Sequence, residues 1–133
     1  MFTKLLLLGI LGHNLANPTL KVTIIGLKNN DGKVMIQLMD EHKKTVKQAI
    51  LSIKNQKAEW ILSDIAGGRY AVRLFHDENN NQKMDTNFMG IPKEGYAFSN
   101  NAKGTFGPPA HEKTLFDCQA DKAIDIQVVY WSV

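Results

Sequence analysis

Length, composition and charge set the first limits on this protein. The chain has 133 residues, of which 44% are hydrophobic and 22% are charged, and its formal net charge is +3. This composition is ordinary for a globular protein, so it excludes an intrinsically disordered chain and a collagen-like repeat. The single cysteine, Cys118, excludes an internal disulfide framework. Because the lysines are scattered and form no basic block, we expect no nucleic-acid partner.

The first sixteen residues have the pattern of a secretory signal peptide. Lys4 provides the positive start, an apolar run follows at residues 5–11, and Ala16 stands at the expected cleavage site. The run is too short for an ordinary transmembrane anchor. We therefore predict a signal peptide at residues 1–16 and a single domain at residues 17–133, periplasmic or secreted. The alternative is a buried N-terminal strand or helix.

The rest of the chain is typical of short strands separated by turns. Apolar and polar residues alternate along residues 33–38, and the Asn-Asn-Asp-Gly sequence before them is a hairpin signal. The polar segment 40–48 is expected to form a short helical turn or an exposed loop. The predicted fold is all-β, a single antiparallel β-sandwich of about seven strands resembling an immunoglobulin domain. The strands are predicted over residues 21–27, 33–38, 50–53, 59–62, 70–74 and 124–130.

One long irregular segment, residues 76–112, interrupts this regularity. It is rich in glycine, proline and asparagine, and only Tyr96–Phe98 is expected to form a strand within it. Long loops in compact domains are usually functional, self-packed or stabilised by a ligand. The aromatic residues in and beside it are expected to pack in the core, with an apolar lid or an exposed recognition patch as the alternative. They are Tyr96, Phe98, Phe106 and Phe116.

The start of this loop has the spacing of a calcium-binding loop. Asp77, Asn79, Asn81 and Asp85 occupy its first, third, fifth and ninth places, and Lys83 at the seventh place would offer its backbone carbonyl. Alternate spacing matters because a tightly curled backbone directs every second side chain at one centre. These five residues are the predicted metal ligands, and calcium is the predicted cofactor.

Two positions depart from the calcium-loop pattern. Gln82 stands where glycine normally permits the sharp turn, and Phe88 stands where a bidentate glutamate belongs. Folding could bring Glu94 or Asp40 into the place of that glutamate. The competing interpretation is a loop without metal, held by the hydrogen bonds of its own asparagine and aspartate side chains.

A second chemical hypothesis is a small metal-assisted hydrolase outside the cytoplasm. Its catalytic groups would come from His76, Asp77, Glu94 and His111. No His-x-His or His-x-x-x-His pair supports it, and a histidine that ends a strand more often bonds the adjacent loop. The hypothesis requires these four side chains to meet in one concave pocket.

Several segments of the loop region also resemble a known family. Residues 75–79 (FHDEN), 84–96 (MDTNFMGIPKEGY), 98–101 (FSNN) and 104–109 (GTFGPP) are similar to a bacterial secreted family, domain of unknown function 2141. The resemblance covers about residues 20–130. It implies export and a small β-sandwich like transthyretin-like or carboxypeptidase-regulatory modules, but no established activity or catalytic residue. Family loops often contain two glycines where this chain has Asn80 and Gln82.

The sequence as a whole favours a non-enzymatic, exported β-sandwich module. It would bind a ligand or an envelope or extracellular partner through residues 76–112, with calcium ordering that loop. The metal-assisted hydrolase and a purely structural envelope protein are the alternatives. In an exported domain we also expect Cys118 to be a buried free thiol.

Overall fold

The computed structural model describes residues 16–131, so the predicted signal peptide lies outside the described residues except for Ala16. The described part consists of eight strands, a 3₁₀ turn at Ser99–Asn101 and a four-residue helix, α1, at His111–Thr114. The strands are β1 Leu20–Ile25, β2 Lys33–Asp40, β3 Thr45–Leu51, β4 Ala58–Leu62, β5 Gly68–Asp77, β6 Tyr96–Phe98, β7 Phe116–Cys118 and β8 Lys122–Gln127.

These strands form two sheets, as predicted for an all-β sandwich. The small sheet has the order β4-β1-β8, and the large sheet has the order β3-β2-β5-β6. β7 pairs with the first residues of β5, on the edge that β6 occupies farther along. β1 and β8 run parallel, so the small sheet is mixed, and the prediction of purely antiparallel pairing was wrong for this pair.

The core lies between the sheets and follows the period-two pattern of the sequence. Val34, Ile36 and Leu38 of β2 face inwards, and Val72 and Leu74 of β5 lie beside them; all five are buried. Burial of such a side chain contributes about 2 kcal/mol to folding. The buried thiol of Cys118 confirms its predicted burial, and desolvation raises the pKa of that thiol, which keeps it protonated and unreactive.

The predicted hairpin between the first two strands was wrong. β1 pairs with β4 and β8, whereas β2 pairs with β3 and β5. The turn at residues 29–32 therefore carries the chain from one sheet to the other. Its residue types were identified correctly, since Gly32 has a φ of 68° and Asn29 bonds the backbone N–H of Asp31. Turn chemistry alone does not determine which strands pair.

Within the polar segment 40–48, residues 41–44 form the expected turn, but residues 45–48 are strand. β3 begins at Thr45, and its first four residues are exposed. It is an edge strand, paired only with β2. Because neither face is deeply buried there, no alternation of apolar and polar residues marks it. β7 was also missed, since a three-residue strand carries too little pattern.

The 76–112 loop reaches opposite ends of the large sheet. Residues 78–95 follow the C-terminal end of β5, where Asp77 pairs with Lys33. The later residues return to the other end, because Nε2 of His111 bonds the carbonyl of Asp40 at 2.9 Å. We call residues 78–95 the first wall and residues 102–114 the second wall. Within residues 16–131, no helix is long and apolar enough to cross a membrane.

Candidate binding site

The first wall is folded around the carboxylate of Asp77. This residue ends β5 and is 1% exposed. Its Oδ1 accepts the backbone N–H of Asn81 at 3.2 Å, and its Oδ2 accepts that of Gln82 at 2.8 Å. Because both carboxylate oxygens hold backbone donors, the chain turns back on itself directly after the strand.

Asp85 closes the same turn from its other side. Nδ2 of Asn79 donates to Oδ2 of Asp85, and Nδ2 of Asn81 donates to Oδ1, each at 2.7 Å. These two hydrogen bonds, that of Asn81 first, hold the pKa of Asp85 below its ordinary value. Oδ1 of Asn81 in turn accepts the backbone N–H of Lys83 at 3.0 Å. The turn is therefore a network of aspartate and asparagine side chains on backbone donors.

Glu94 joins the two ends of the first wall. It is 4% exposed, and its carboxylate accepts the backbone N–H of Glu78 at 2.8 Å and that of Asp85 at 3.0 Å. Of the two carboxylates considered as replacements for the missing calcium ligand, Glu94 thus lies beside the predicted set. Asp40 lies at the opposite end of the sheet, where it accepts the N–H of His42 and Lys44.

Two residues of this turn that are not glycine have a positive φ. Asn80 has a φ of 57° and Gln82 a φ of 62°, both in the left-handed region. Asparagine tolerates this region well, whereas glutamine at that position costs roughly 1–2 kcal/mol relative to the right-handed region. The hydrogen bonds to Asp77 offset this cost.

The predicted calcium ligands are neighbours in the turn, but most of their polar atoms already bind one another. Asn79 and Asn81 direct their amide nitrogens at Asp85, and their oxygens accept backbone N–H groups. A cation that bound Asp85 would have to displace the amide nitrogens of Asn79 and Asn81, whereas oxygens that accept one backbone N–H keep a lone pair for it. In the described part of the chain, no three His, Cys, Asp or Glu side chains could hold a metal ion together. Calcium binding stays a prediction.

His76 is the last residue of β5 that points into the core, and both of its ring nitrogens have hydrogen-bond partners. It is fully buried, with Nε2 2.6 Å from the carbonyl of Asp31 and Nδ1 2.7 Å from Oη of Tyr130. A carbonyl only accepts, so Nε2 carries the proton, and in the neutral ring Nδ1 accepts the Tyr130 hydroxyl. Tyr130 also accepts the backbone N–H of Lys28, and burial raises its pKa.

The four residues of the hydrolase hypothesis do not meet in one pocket. His76, Asp77 and Glu94 lie at one end of the large sheet, each buried with hydrogen-bond partners. His111 lies at the other end, against Asp40. The geometric condition for that hypothesis is therefore not met.

The aromatic side chains of the loop region divide between core and surface. Phe116 is 7% exposed and packs in the core, as expected. The expectation of core packing was wrong for Phe106, which is fully exposed. Tyr96 and Phe98 are partly buried and lie on the face of the large sheet that points away from the core.

An apolar row crosses the outer face of the large sheet. Met35 pairs with Ile50 on one side and with Phe75 on the other, and Phe75 pairs with Tyr96. The row therefore spans β3, β2, β5 and β6 in direct register. Ile50 is 53% exposed, and the other three side chains are partly buried. None belongs to the core cluster between the sheets.

A polar row lies beside it, two residues along each strand. Gln37 pairs with Gln48 and Arg73, and Arg73 pairs with Phe98. Nε of Arg73 donates to Oε1 of Gln37 at 2.7 Å, and Nε2 of Gln37 donates to Oε1 of Gln48 at 3.3 Å. The side chains thus form a chain of hydrogen bonds across three strands.

The two walls lie beyond these rows, at opposite ends of the large sheet. Beyond the apolar row, Asp77 also belongs to the outer face, and the first wall buries it. Beyond the polar row, outer-face residues Met39 and Ala71 are 8% and 0% exposed. α1 lies at this end of the sheet, since it contacts β5 and its His111 bonds the Asp40 carbonyl. We call the two rows together the outer-face trough.

At the β6 end the trough opens into a groove of about 310 Å³. Tyr96, Phe98 and Trp131 are among its lining residues, and Trp131 is 55% exposed. The second wall contributes Lys103 and Pro109 to the lining. Sequence reasoning missed the trough as a whole, because only the strand register brings its residues together.

The comparison with family models agrees with the sequence motifs. The family described as "Uncharacterized protein conserved in bacteria (DUF2141)" matches residues 22–127, from β1 to the end of β8. The protein belongs to this family. The match includes both sheets and the whole 76–112 loop, and it confirms the predicted family. The DUF2141 description states no activity, and a search of curated proteins gives no match.

Proposed function

We propose that this protein is an exported, non-enzymatic module that binds a ligand in the outer-face trough, between the two walls of the 76–112 loop. The observation that supports this most is the apolar row in register across four strands. A soluble protein rarely leaves a contiguous apolar surface uncovered unless it meets a partner there. Here the row lies beside hydrogen-bonding side chains and leads to a groove at the β6 end, an arrangement typical of a binding site.

In this proposal the buried titratable side chains do not contact the ligand. Asp77 and Glu94 accept backbone N–H groups, and His76 is held between Tyr130 and a backbone carbonyl. Their role in this proposal is to fix the shape of the first wall. The side chains that meet the ligand are instead uncharged or cationic.

We also propose that calcium stiffens the first wall when it is present. Asp77, Asn79, Asn81, Asp85 and the carbonyl of Lys83 would hold it, and it would act on loop order rather than on a reaction. Thermal melting with and without calcium chloride tests this. An increase in melting temperature that Asp85→Ala abolishes and Asp117→Ala retains is expected; equal melting of the wild type in both solutions would refute the calcium role.

Chemical-shift mapping tests the binding role itself without assuming the ligand. The ¹⁵N-labelled protein without its first sixteen residues is titrated with four probes: polygalacturonate oligomers, cello-oligosaccharides, an unstructured acidic peptide and lysophospholipid micelles. At least one probe is expected to shift resonances of Met35, Arg73, Phe75 and Tyr96. If every probe leaves these resonances unchanged, the binding proposal is wrong and a structural envelope role is favoured.

A further inference from the structure

We infer that the ligand of the outer-face trough is a single chain of an acidic polysaccharide. This inference rests on the proposed binding function and adds the chemical class of the ligand. It depends on four properties of the trough: its two parallel rows, their direction and length, the angle between its aromatic rings and the charge around it.

The two rows match the two chemical faces of a sugar chain. A pyranose ring presents apolar C–H groups on its faces and hydroxyl groups around its edge. Phe75 and Tyr96 offer ring surface for the former, since the face of an aromatic ring carries partial negative charge. Arg73 can donate hydrogen bonds to the hydroxyl groups, and the amide of Gln37 can both donate and accept them. A ligand without both faces would leave one row unused.

The direction of the rows also suits a chain. They run across four strands that lie about 4.8 Å apart, so each row is roughly 14 Å long. The strand spacing is close to the length of one sugar ring along an extended polysaccharide. Successive strands could therefore contact successive rings, and the floor would hold about three or four of them.

The aromatic rings do not form a flat platform. The ring centroids of Tyr96 and Phe98 are 6.4 Å apart, and their planes meet edge to face at 68°. Trp131 lines the same groove. The surface of a crystalline polysaccharide would need coplanar rings, whereas a single chain can contact rings that are inclined to each other.

The charge around the trough favours an anionic chain. Arg73 lies on the floor and Lys103 at the groove. Neither the two rows nor the lining of the groove contains an aspartate or a glutamate. Uronate residues would place carboxylates along the chain, where Arg73 and Lys103 can bind them.

An extended peptide fits less well. Peptides that bind sheets commonly pair with a free strand edge. The edge of β6, beside the groove, is already occupied, because Tyr96 and Val129 exchange backbone hydrogen bonds of 2.9 and 2.8 Å. The other edge of the large sheet is that of β3, so a peptide paired there would lie at the end of the rows away from Lys103 and Trp131. The floor of the trough offers side chains only, which suits a ligand whose hydroxyl groups lie along its whole length.

Isothermal titration with polygalacturonate oligomers tests the inference, with cello-oligosaccharides of equal length as the neutral probe. Arg73→Gln and Phe98→Ala are each expected to weaken polygalacturonate binding about tenfold. The matched controls lie outside the trough: Arg69→Gln, near the start of β5, and Ile61→Ala on the small sheet. Both controls are expected to bind within twofold of the wild type. Circular dichroism melting identifies any variant that fails to fold.

Two results would overturn the inference. One is the absence of polygalacturonate binding, or binding that Arg73→Gln and Phe98→Ala leave unchanged. The other is equal affinity for the neutral oligosaccharide, which would refute the acidic part. If the peptide or the micelles shift the trough resonances while polygalacturonate does not bind, only the ligand class is wrong. If no probe reaches the trough, the proposed function fails as well.

Discussion

The two walls of the trough are built in different ways. In the first wall, Asp77, Asp85 and Glu94 together hold the backbone through short hydrogen bonds, and two of them are buried. In the second wall, residues 103–109 make no hydrogen bond with other residues in the described range 16–131. They are mostly exposed and are shaped by glycine and proline instead.

This difference indicates separate roles within one loop. A wall fixed by buried carboxylates keeps its shape when the ligand leaves. Residues 103–109 of the second wall, without such hydrogen bonds, can move to admit a ligand, and the exposed Phe106 can pack against one that has entered. The following predictions test the contrast, starting with the largest effect.

Removing Glu94 should damage the first wall most. Glu94→Ala leaves the partly buried N–H groups of Glu78 and Asp85 without their acceptor, which costs roughly 2 kcal/mol of folding free energy. Urea denaturation measures this. Glu112→Ala, an exposed glutamate of the second wall, is the matched control and should change stability by no more than about 0.5 kcal/mol. Equal effects of the two substitutions would remove the contrast between the walls.

Amide hydrogen exchange should separate the walls directly. The N–H groups of Glu78, Gln82 and Asp85 are bound to buried carboxylates, so they should exchange on the order of 100-fold more slowly than those of residues 103–107. Two-dimensional NMR after transfer to deuterated buffer measures both sets in one sample. Similar rates in the two walls would contradict the proposed division into a fixed and a movable part.

Part of this organisation could be predicted from the sequence. The inward faces of β2 and β5 were predictable because alternation is a local property, and Val34, Ile36 and Leu38 carry it within six residues. β3 was not, because an edge strand with exposed faces has no such alternation. The Asn-Asn-Asp-Gly turn was recognised, but its place between two sheets depends on pairings made far along the chain.

The outer-face trough shows most clearly what could not be predicted from the sequence. Its apolar row combines Met35, Ile50, Phe75 and Tyr96, which lie on four strands and far apart in sequence. Each alone resembles an ordinary core or surface residue. Only the register of the sheet aligns them, and register depends on long-range contacts that a single sequence does not display.

Acid should weaken the first wall through Asp85. Its pKa is lowered in the folded state, so its stabilising effect is complete above the unfolded value of about 3.9 and is lost as the pH falls through the folded value. Melting temperatures between pH 6 and pH 2.5 measure the loss. Asp85→Asn should lower stability at pH 6 and reduce the acid-induced decrease, whereas the exposed Asp117→Asn should follow the wild type. An unchanged pH profile in Asp85→Asn would contradict the assigned network.

The smallest expected effect is an increase in stability. Gln82 has a φ of 62°, which glycine adopts without steric cost. Gln82→Gly should therefore raise the free energy of unfolding by up to about 1 kcal/mol, since the greater freedom of glycine in the unfolded chain offsets part of the gain. Gln48→Gly in β3 is the control and should destabilise the protein. If Gln82→Gly destabilises the protein, the positive φ of Gln82 is not a source of strain.

The fluorescence of the two tryptophans tests most directly whether the trough is the binding site. Trp131 lies at its β6 end, whereas Trp60 lies on β4 of the small sheet. Two single-tryptophan proteins, Trp60→Phe and Trp131→Phe, are titrated with the probe that binds most tightly in the shift mapping. We predict that the emission of Trp131 moves to shorter wavelength on binding and that the emission of Trp60 stays constant. A change at Trp60 with none at Trp131 would contradict binding in the trough.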